Sequence, residues 1–238
     1  MSKHIALLLF VVILTGTACH DGTQVLQPIS CPTPTSPRAV LVDATHDGGA
    51  WWFPQSGSFA ESQPHQGLAL AETFRTEGYV VNELGRGEKI TRDRLLAYAV
   101  VIRAGNFGAH VDSELGAYDA FVACPRTLVL LGEFLAPGER DDLADRLGIA
   151  LSGNVSGTVT SVVSHPITEG VTPVPFVAGS LVDPGRSVAV QVLGWLDGGQ
   201  PVLGIQQGRA AKVFFIGDTN GLESVPQPLI DNIVAWGF

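Results

Sequence analysis

The stretch Thr127-Leu128-Val129-Leu130-Leu131-Gly132-Glu133-Phe134 decides the fold that we predict for this chain. Its first five residues are largely apolar and uncharged, which is typical of a strand buried on both faces of a parallel sheet. In an open parallel sheet, ligands bind outside the carboxyl ends of the strands. The three residues that follow the strand are therefore expected where a nucleophile elbow lies in several hydrolase folds. A carboxylate stands there, and neither Cys nor Ser does.

Short strands and helices alternate around this stretch. Periodicity and turn residues predict strands at 39–43, 79–81, 99–102 and 127–131, and helices at 68–74, 92–98, 112–122 and 137–148. This order indicates βαβ units, and we predict an α/β fold with a mostly parallel, doubly wound (flavodoxin-like) sheet and helices on both faces.

The second half of the chain has a different pattern. Strand patterns at 190–193 and 202–205 flank Asp197-Gly198-Gly199, a hairpin signal, so we expect an antiparallel extension at one edge of the sheet. The chain then returns to the core with a strand at 212–216 and ends with a helix at 226–236.

The amino terminus has the layout of an export signal. Lys3 and His4 precede an uncharged apolar segment, and Thr15-Gly16-Thr17-Ala18-Cys19 resembles the lipobox of bacterial lipoproteins, in which the Cys carries a diacylglycerol. We predict a signal peptide over 1–19, lipidation at Cys19, and a Pro, Thr and Ser-rich tether over 20–37. Since His20 and not Asp follows the Cys, the expected location is the outer membrane or the cell surface.

Residues 38–238 are enough for one domain with a sizeable core. The net charge of −9 argues against nucleic acid as a partner. Besides the lipid-bearing Cys19, the chain has Cys31 in the tether and Cys124 before the central strand. These two could pair in an oxidising compartment, but the sequence does not decide their connectivity.

Several local motifs resemble the class I glutamine amidotransferase-like superfamily, in its ThuA-like branch. They are the strand 40–43 with His46 after it, the Gly78 turn into the second strand, the segment His165-Pro166-Ile167-Thr168-Glu169-Gly170-Val171, and Gly217-Asp218-Thr219-Asn220. In true amidotransferases, a Cys after the central strand attacks the glutamine amide. Glu133 replaces that Cys here, so the resemblance implies the fold without glutamine hydrolysis by the usual route.

Polar residues follow several of the predicted strands, and in a parallel sheet they would face one crevice about 10 Å across. The candidate ligand-binding residues are Asp43, His46, Asp47, Asn106, Glu133, Asp218 and Asn220. A carboxylate beside a His could act as an acid and base, or two carboxylates and a His could hold a divalent cation. Each acid could equally cap the next helix. Burial at the end of the central strand predicts the most raised pKa for Glu133.

Two aromatic residues add to this set. Trp51 and Trp52 lie in a Gly-rich loop after the first strand, where they could form a wall on which a sugar face stacks, or pack against the domain body. His65 and His110 show no metal-ligand spacing, His165 is expected to be structural, and no cofactor motif is present.

Two functions remain open. The first is a cell-envelope lipoprotein whose amidotransferase-like domain lacks the catalytic Cys and binds a small polar ligand, such as a carbohydrate, or a partner protein. The second is a hydrolase using Asp43, His46, Glu133 and Asp218, with or without a metal. The geometry of the crevice distinguishes them.

Overall fold

The computed structural model describes residues 31–51, 65–171, 173–223 and 227–237. The predicted signal peptide, Cys19 and Trp52 lie outside these ranges. The elements are β1 (Ser36–Asp43), α1 (Leu68–Thr76), β2 (Val80–Leu84), α2 (Arg92–Leu96), β3 (Tyr98–Arg103), α3 (Asp112–Val122), β4 (Thr127–Leu131), α4 (Asp142–Arg146), β5 (Leu151–Val162), β6 (Val174–Val182), β7 (Val190–Leu196), β8 (Pro201–Gln206), β9 (Lys212–Ile216) and α5 (Gln227–Gly237).

One mixed sheet holds the nine strands in the order β2-β1-β3-β4-β9-β8-β7-β5-β6. The first five strands in this order are parallel, and β8, β7, β5 and β6 continue the sheet in antiparallel fashion. The predicted mixed α/β sheet is confirmed, including the hairpin between β7 and β8 and the return of β9 beside β4.

Alternate residues of the parallel strands enter two different hydrophobic clusters. Val129 and Leu131 of β4 pack with residues of α1 and α5. Leu128 and Leu130 pack with residues of α2, α3 and α4. Every residue of β4 is buried, as its apolar run predicts.

The antiparallel half of the sheet bends back on the parallel half. Although β6 is four strands away from β9 in the sheet order, the backbone N–H of Ser180 in β6 donates to the carbonyl of Gly217, just after β9 (2.8 Å). The pairing of β5 with β6 shifts register twice, and such bulges bend a strand. The β6 strand therefore lies over the carboxyl end of β9.

Two helices differ from their predicted bounds. The helix predicted from Pro137 begins only at Asp142, because the side chain of Asp141 accepts from the backbone N–H of Ala144 and caps it there. The helix at 92–98 ends at Leu96, since the chain enters β3 at Tyr98. Its N-cap residue, Thr91, accepts through its side chain from the backbone N–H of Arg94 (3.3 Å).

The end of the predicted tether is attached to the domain. β1 already begins at Ser36, and Cys31 forms a disulfide with Cys124. A guanidinium nitrogen of Arg126 also donates to the carbonyl of Pro32. The chain thus joins the domain at the amino end of β4. Within the described ranges, no helix has the length and apolar character that crossing a bilayer requires.

Candidate functional site

Two carboxyl groups lie at the carboxyl ends of the central strands. Glu133 follows β4 and is 5% exposed, while Asp218 follows β9 and is fully buried. Burial and the nearby charge of Asp218 raise the pKa of Glu133 to about 8, against hydrogen bonds from Thr219 and the Phe134 backbone. Burial likewise raises the pKa of Asp218 to about 6. We call Glu133 and Asp218 the carboxylate pair; near neutral pH, Glu133 is mostly protonated and Asp218 mostly ionised.

The β6 strand covers Asp218. The backbone N–H of Val177 donates to Asp218 Oδ2 (2.6 Å), and Gly179 lies so close that a Cβ there would come 2.5 Å from Asp218 Cβ. Asp218 Oδ1 accepts from the backbone N–H of Asn220 (2.8 Å), the first residue of the short 3-10 helix Asn220–Leu222. Asp218 is therefore enclosed by backbone.

Asp43 and Asp47, at and after the end of β1, are bound by groups of the protein itself. Asp43 Oδ2 accepts from the hydroxyl of Tyr118 (2.6 Å) and Oδ1 accepts from the hydroxyl of Thr45 (2.7 Å). Asp47 pairs with Arg86 (Nε to Oδ1, 2.7 Å) and accepts from backbone N–H groups of its own loop. Both acids fix the chain after β1, and neither caps a helix, because the N-cap residue of α1 is Gly67.

The strand order divides the predicted crevice. β3 and β4 stand between β1 and β9, so the ends of β1 and β9 are about 14 Å apart at the usual strand spacing. Asp43 and Asp218 therefore belong to two different clusters, and a single site about 10 Å across does not contain them both.

His46 lies in a second cluster, which the sequence did not reveal. Its ring is 4.3 Å from that of His110 (centroid to centroid), and its Nε2 is 3.4 Å from Glu114 Oε2. His110 Nδ1 lies 2.7 Å from Asp142 Oδ1, and its backbone N–H donates to Asp142 Oδ2 (2.6 Å). Burial, and then the charge of Arg103, lower the pKa of His110. We call His46, His110, Glu114 and Asp142 the histidine cluster.

A buried ion pair lies beside the histidine cluster. Arg103, the last residue of β3, donates through Nη2 to Asp141 Oδ2 (2.5 Å) and through Nη1 to the carbonyl of Gly105 (2.6 Å). The side chains of Arg103 and Asp141 are 1% and 0% exposed. A charged residue directly after the apolar run 100–102 is a signal that could have pointed to such a pair, because a charge at the end of a buried strand needs a partner.

Trp51 does not form a wall over the crevice. It is fully buried, its Nε1 donates to Glu83 Oε1 (3.2 Å), and its ring packs against His65 (centroids 5.2 Å apart). Trp51 therefore packs against the domain body, which was the second alternative for this residue. Its ring closes the core above α1. The predicted role of Trp52 lies outside the described residues.

An open cavity of about 420 Å³ lies at the carboxyl ends of β3 and β4. It is lined by Asn106, Phe107, Gly108, Ala109, Phe134, Leu135, Ala136, Glu139, Arg140 and Asp142. We call it the β3–β4 cavity. Of the predicted site residues it includes Asn106, whose amide nitrogen and oxygen are buried and have no hydrogen-bond partner among the described residues.

Phe107 and Phe134 form the aromatic part of the cavity wall. Their rings meet edge to face with centroids 5.6 Å apart, and Phe134 is 40% exposed. Phe134 was expected at the elbow position, without a predicted role. The cavity combines its exposed ring with the amide of Asn106. Among the described residues, no group of three or more His, Cys, Asp or Glu side chains is arranged to hold a metal ion.

The fold is similar to those of several solved structures. The mmIFT52 N-terminal domain is 12% identical with a TM-score of 0.61, and the match covers 83% of this chain and 94% of that chain. A ThuA-like protein from Bacteroides uniformis ATCC 8492 is 15% identical with a TM-score of 0.54, covering 84% and 91%. The cytoplasmic protein STM1381 from Salmonella typhimurium LT2 is 14% identical with a TM-score of 0.60, covering 84% and 99%.

No protein-family model matches the chain, and no curated protein is significantly similar to it in sequence. At these low identities, the structural likeness concerns the fold alone. It agrees with the resemblance drawn from the sequence motifs, because a ThuA-like protein is among the structures whose fold is similar to that of this chain.

Proposed function

We propose that this protein is an exported, lipid-anchored binding module of the cell envelope whose amidotransferase-like domain takes up a small polar ligand in the β3–β4 cavity. The cavity carries the proposal, because it is the place at the carboxyl edge of the sheet where open volume, an aromatic wall and an unsatisfied amide coincide. Its volume lies within the range of small-molecule sites.

The residues at the elbow position favour binding over catalysis. Glu133 is 5% exposed, and its partner Asp218 is fully buried under β6, so a substrate has no direct approach to the carboxylate pair. Both cysteines in the described part of the chain are joined in a disulfide. A thiolate attack of the amidotransferase kind therefore has no candidate there.

A thermal-shift screen of the full chain in detergent tests the proposal, with sugars, nucleotides, amino acids and divalent cations as probes. A ligand present at a hundred times its dissociation constant adds about 2.7 kcal/mol to the free energy of unfolding, which corresponds to a rise in Tm of several degrees.

Two matched variants locate the site. Ala136→Trp places an indole in the β3–β4 cavity, and Ala235→Trp places one in a hollow of about 440 Å³ between α1 and α5. We expect Ala136→Trp to abolish the ligand-induced rise in Tm and Ala235→Trp to retain it. The reverse result would move the site to the α1–α5 hollow, and no shift with any probe would argue against small-ligand binding.

A further inference from the structure

We infer that the β3–β4 cavity recognises a neutral sugar, through Asn106 hydrogen-bonded to two adjacent hydroxyl groups. The inference rests on the proposed binding function and specifies the chemistry of its ligand. Three features of the cavity wall carry it: the pairing of its charged groups, the unsatisfied Asn106 amide, and the aromatic pair.

The charged groups of the wall are already paired within the protein. Glu139 Oε2 accepts from the backbone N–H of Ala136 (3.0 Å), and Arg140 donates through Nη2 to Asp145 Oδ1 (2.6 Å). Asp142 holds His110 through both of its oxygens. A ligand with a net charge would lie beside a like charge of this wall, an anion beside Glu139 and Asp142 or a cation beside Arg140, whereas a neutral ligand meets no such repulsion. The wall therefore disfavours a charged ligand.

The Asn106 amide offers a donor and an acceptor side by side. Neither its nitrogen nor its oxygen has a hydrogen-bond partner among the described residues, and both are withdrawn from solvent. Buried amides are nearly always hydrogen-bonded, so an unsatisfied one in a cavity wall points to a missing partner. Because the last torsion of an Asn side chain is soft, a small rotation can turn the amide toward a ligand. Two neighbouring hydroxyls supply the complementary acceptor and donor.

The aromatic pair supplies the second contact that a sugar needs. The Phe134 ring is 40% exposed and is held edge to face by Phe107, so it presents a fixed apolar surface at the cavity mouth. The C–H face of a pyranose ring can pack on such a surface while its hydroxyls reach Asn106. A wall with one flat apolar surface and one adjacent hydrogen-bond donor and acceptor fits a pyranose better than it fits an ion.

Isothermal titration of the full chain in detergent tests the inference. The neutral probes are glucose, galactose, mannose, cellobiose and maltose, and their charged counterparts are glucuronate and glucosamine. Benzamide serves as a neutral carboxamide that also offers an adjacent donor and acceptor. We expect at least one neutral sugar to bind, and to bind about tenfold or more tightly than glucuronate, glucosamine and benzamide.

Asn106→Ala and Asn82→Ala form the matched pair of variants, because Asn82 is an exposed amide on the edge strand β2. We expect Asn106→Ala to weaken the sugar about tenfold and Asn82→Ala to leave its Kd unchanged, with the Tm of each unliganded variant verifying that it is folded. Tightest binding of a charged probe or of benzamide would overturn the sugar assignment, as would unchanged binding in Asn106→Ala. If another ligand binds and Ala136→Trp blocks it, the binding function stands and the sugar assignment fails; if no probe binds at all, both fail.

Discussion

At the scale of single residues, Glu133 is a buried acid whose pKa makes the stability of the fold depend on pH. Its pKa is raised from 4.5 to about 8, chiefly by burial. Between these two values the unfolded chain loses the proton while the folded protein keeps it, so the folded state is progressively destabilised as the pH rises through this window. Above pH 8 the loss in the free energy of unfolding is complete, and it amounts to roughly 3–5 kcal/mol.

Glu133→Gln should therefore stabilise the protein at pH 8, because the amide has a similar shape and carries no ionisable proton. Urea unfolding of both proteins at pH 5 and pH 8 measures the effect. We expect a small difference at pH 5 and a gain of a few kcal/mol for the variant at pH 8. Glu72→Gln, on the exposed side of α1, is the control and should change stability little at either pH. A Glu133→Gln protein that is less stable than the wild type at pH 8 would contradict the raised pKa.

The sequence could identify Glu133 because its position follows from one local feature, the buried strand that precedes it. The upward direction of its pKa shift was predicted for the same reason and is the direction found. Arg103, Asp141, His110 and Asp142 were not predicted. Their contacts join the end of β3 and the loop after it to residues more than thirty positions further on, and no pattern in a single sequence encodes such pairings.

At the scale of elements, the position of β6 over β9 separates this protein from an open sheet with an accessible elbow. Gly179 permits the contact, since any Cβ there would come 2.5 Å from Asp218 Cβ and 2.6 Å from the carbonyl oxygen of Gly217. Asp218 is thus buried by a strand that is distant in both the sequence and the sheet order.

Gly179→Ala should force β6 away from β9 and lower the free energy of unfolding by about 1–3 kcal/mol or more. Gly116→Ala is the control, because Gly116 is exposed in α3 and a Cβ there meets nothing within 4 Å. That change should stabilise the helix by up to about 1 kcal/mol. Denaturant unfolding of both variants measures the difference. Equal stability of Gly179→Ala and the wild type would mean that β6 does not press on Asp218.

The strands and helices of the parallel half were predictable, because each has its own hydrophobic periodicity and its own capping residues. The bend that returns β6 to β9 was not. It depends on register shifts within the β5–β6 pair and on a contact between positions 180 and 217, and both are properties of the packed sheet. The hairpin signal Asp197-Gly198-Gly199 indicated an antiparallel extension without indicating its curvature.

At the scale of the whole molecule, the Cys31–Cys124 disulfide and the β3–β4 cavity lie at opposite ends of the central strand β4. The Cys31–Cys124 disulfide lies at the amino end of β4, while the β3–β4 cavity lies at the carboxyl end, about 16 Å away along a five-residue strand. The segment from Cys19 to Cys31 can span at most roughly 40 Å. Under the proposed anchoring, a lipid on Cys19 would tie the domain to the bilayer by the end of the sheet opposite the cavity, and we propose that the cavity opens toward the aqueous side.

Cys19→Ala should move the protein from the membrane fraction to the soluble fraction, because the variant lacks the thiol that would carry the predicted diacylglycerol. The matched control is Cys31→Ser, which breaks the disulfide but leaves the predicted lipidation site intact and should stay with the membrane. Fractionation of cells that produce each variant, with intact-mass measurement of the mature chain, reads out both the location and the lipid. Retention of Cys19→Ala in the membrane fraction would show that another contact anchors the chain, and the proposed orientation of the cavity would then lose its basis.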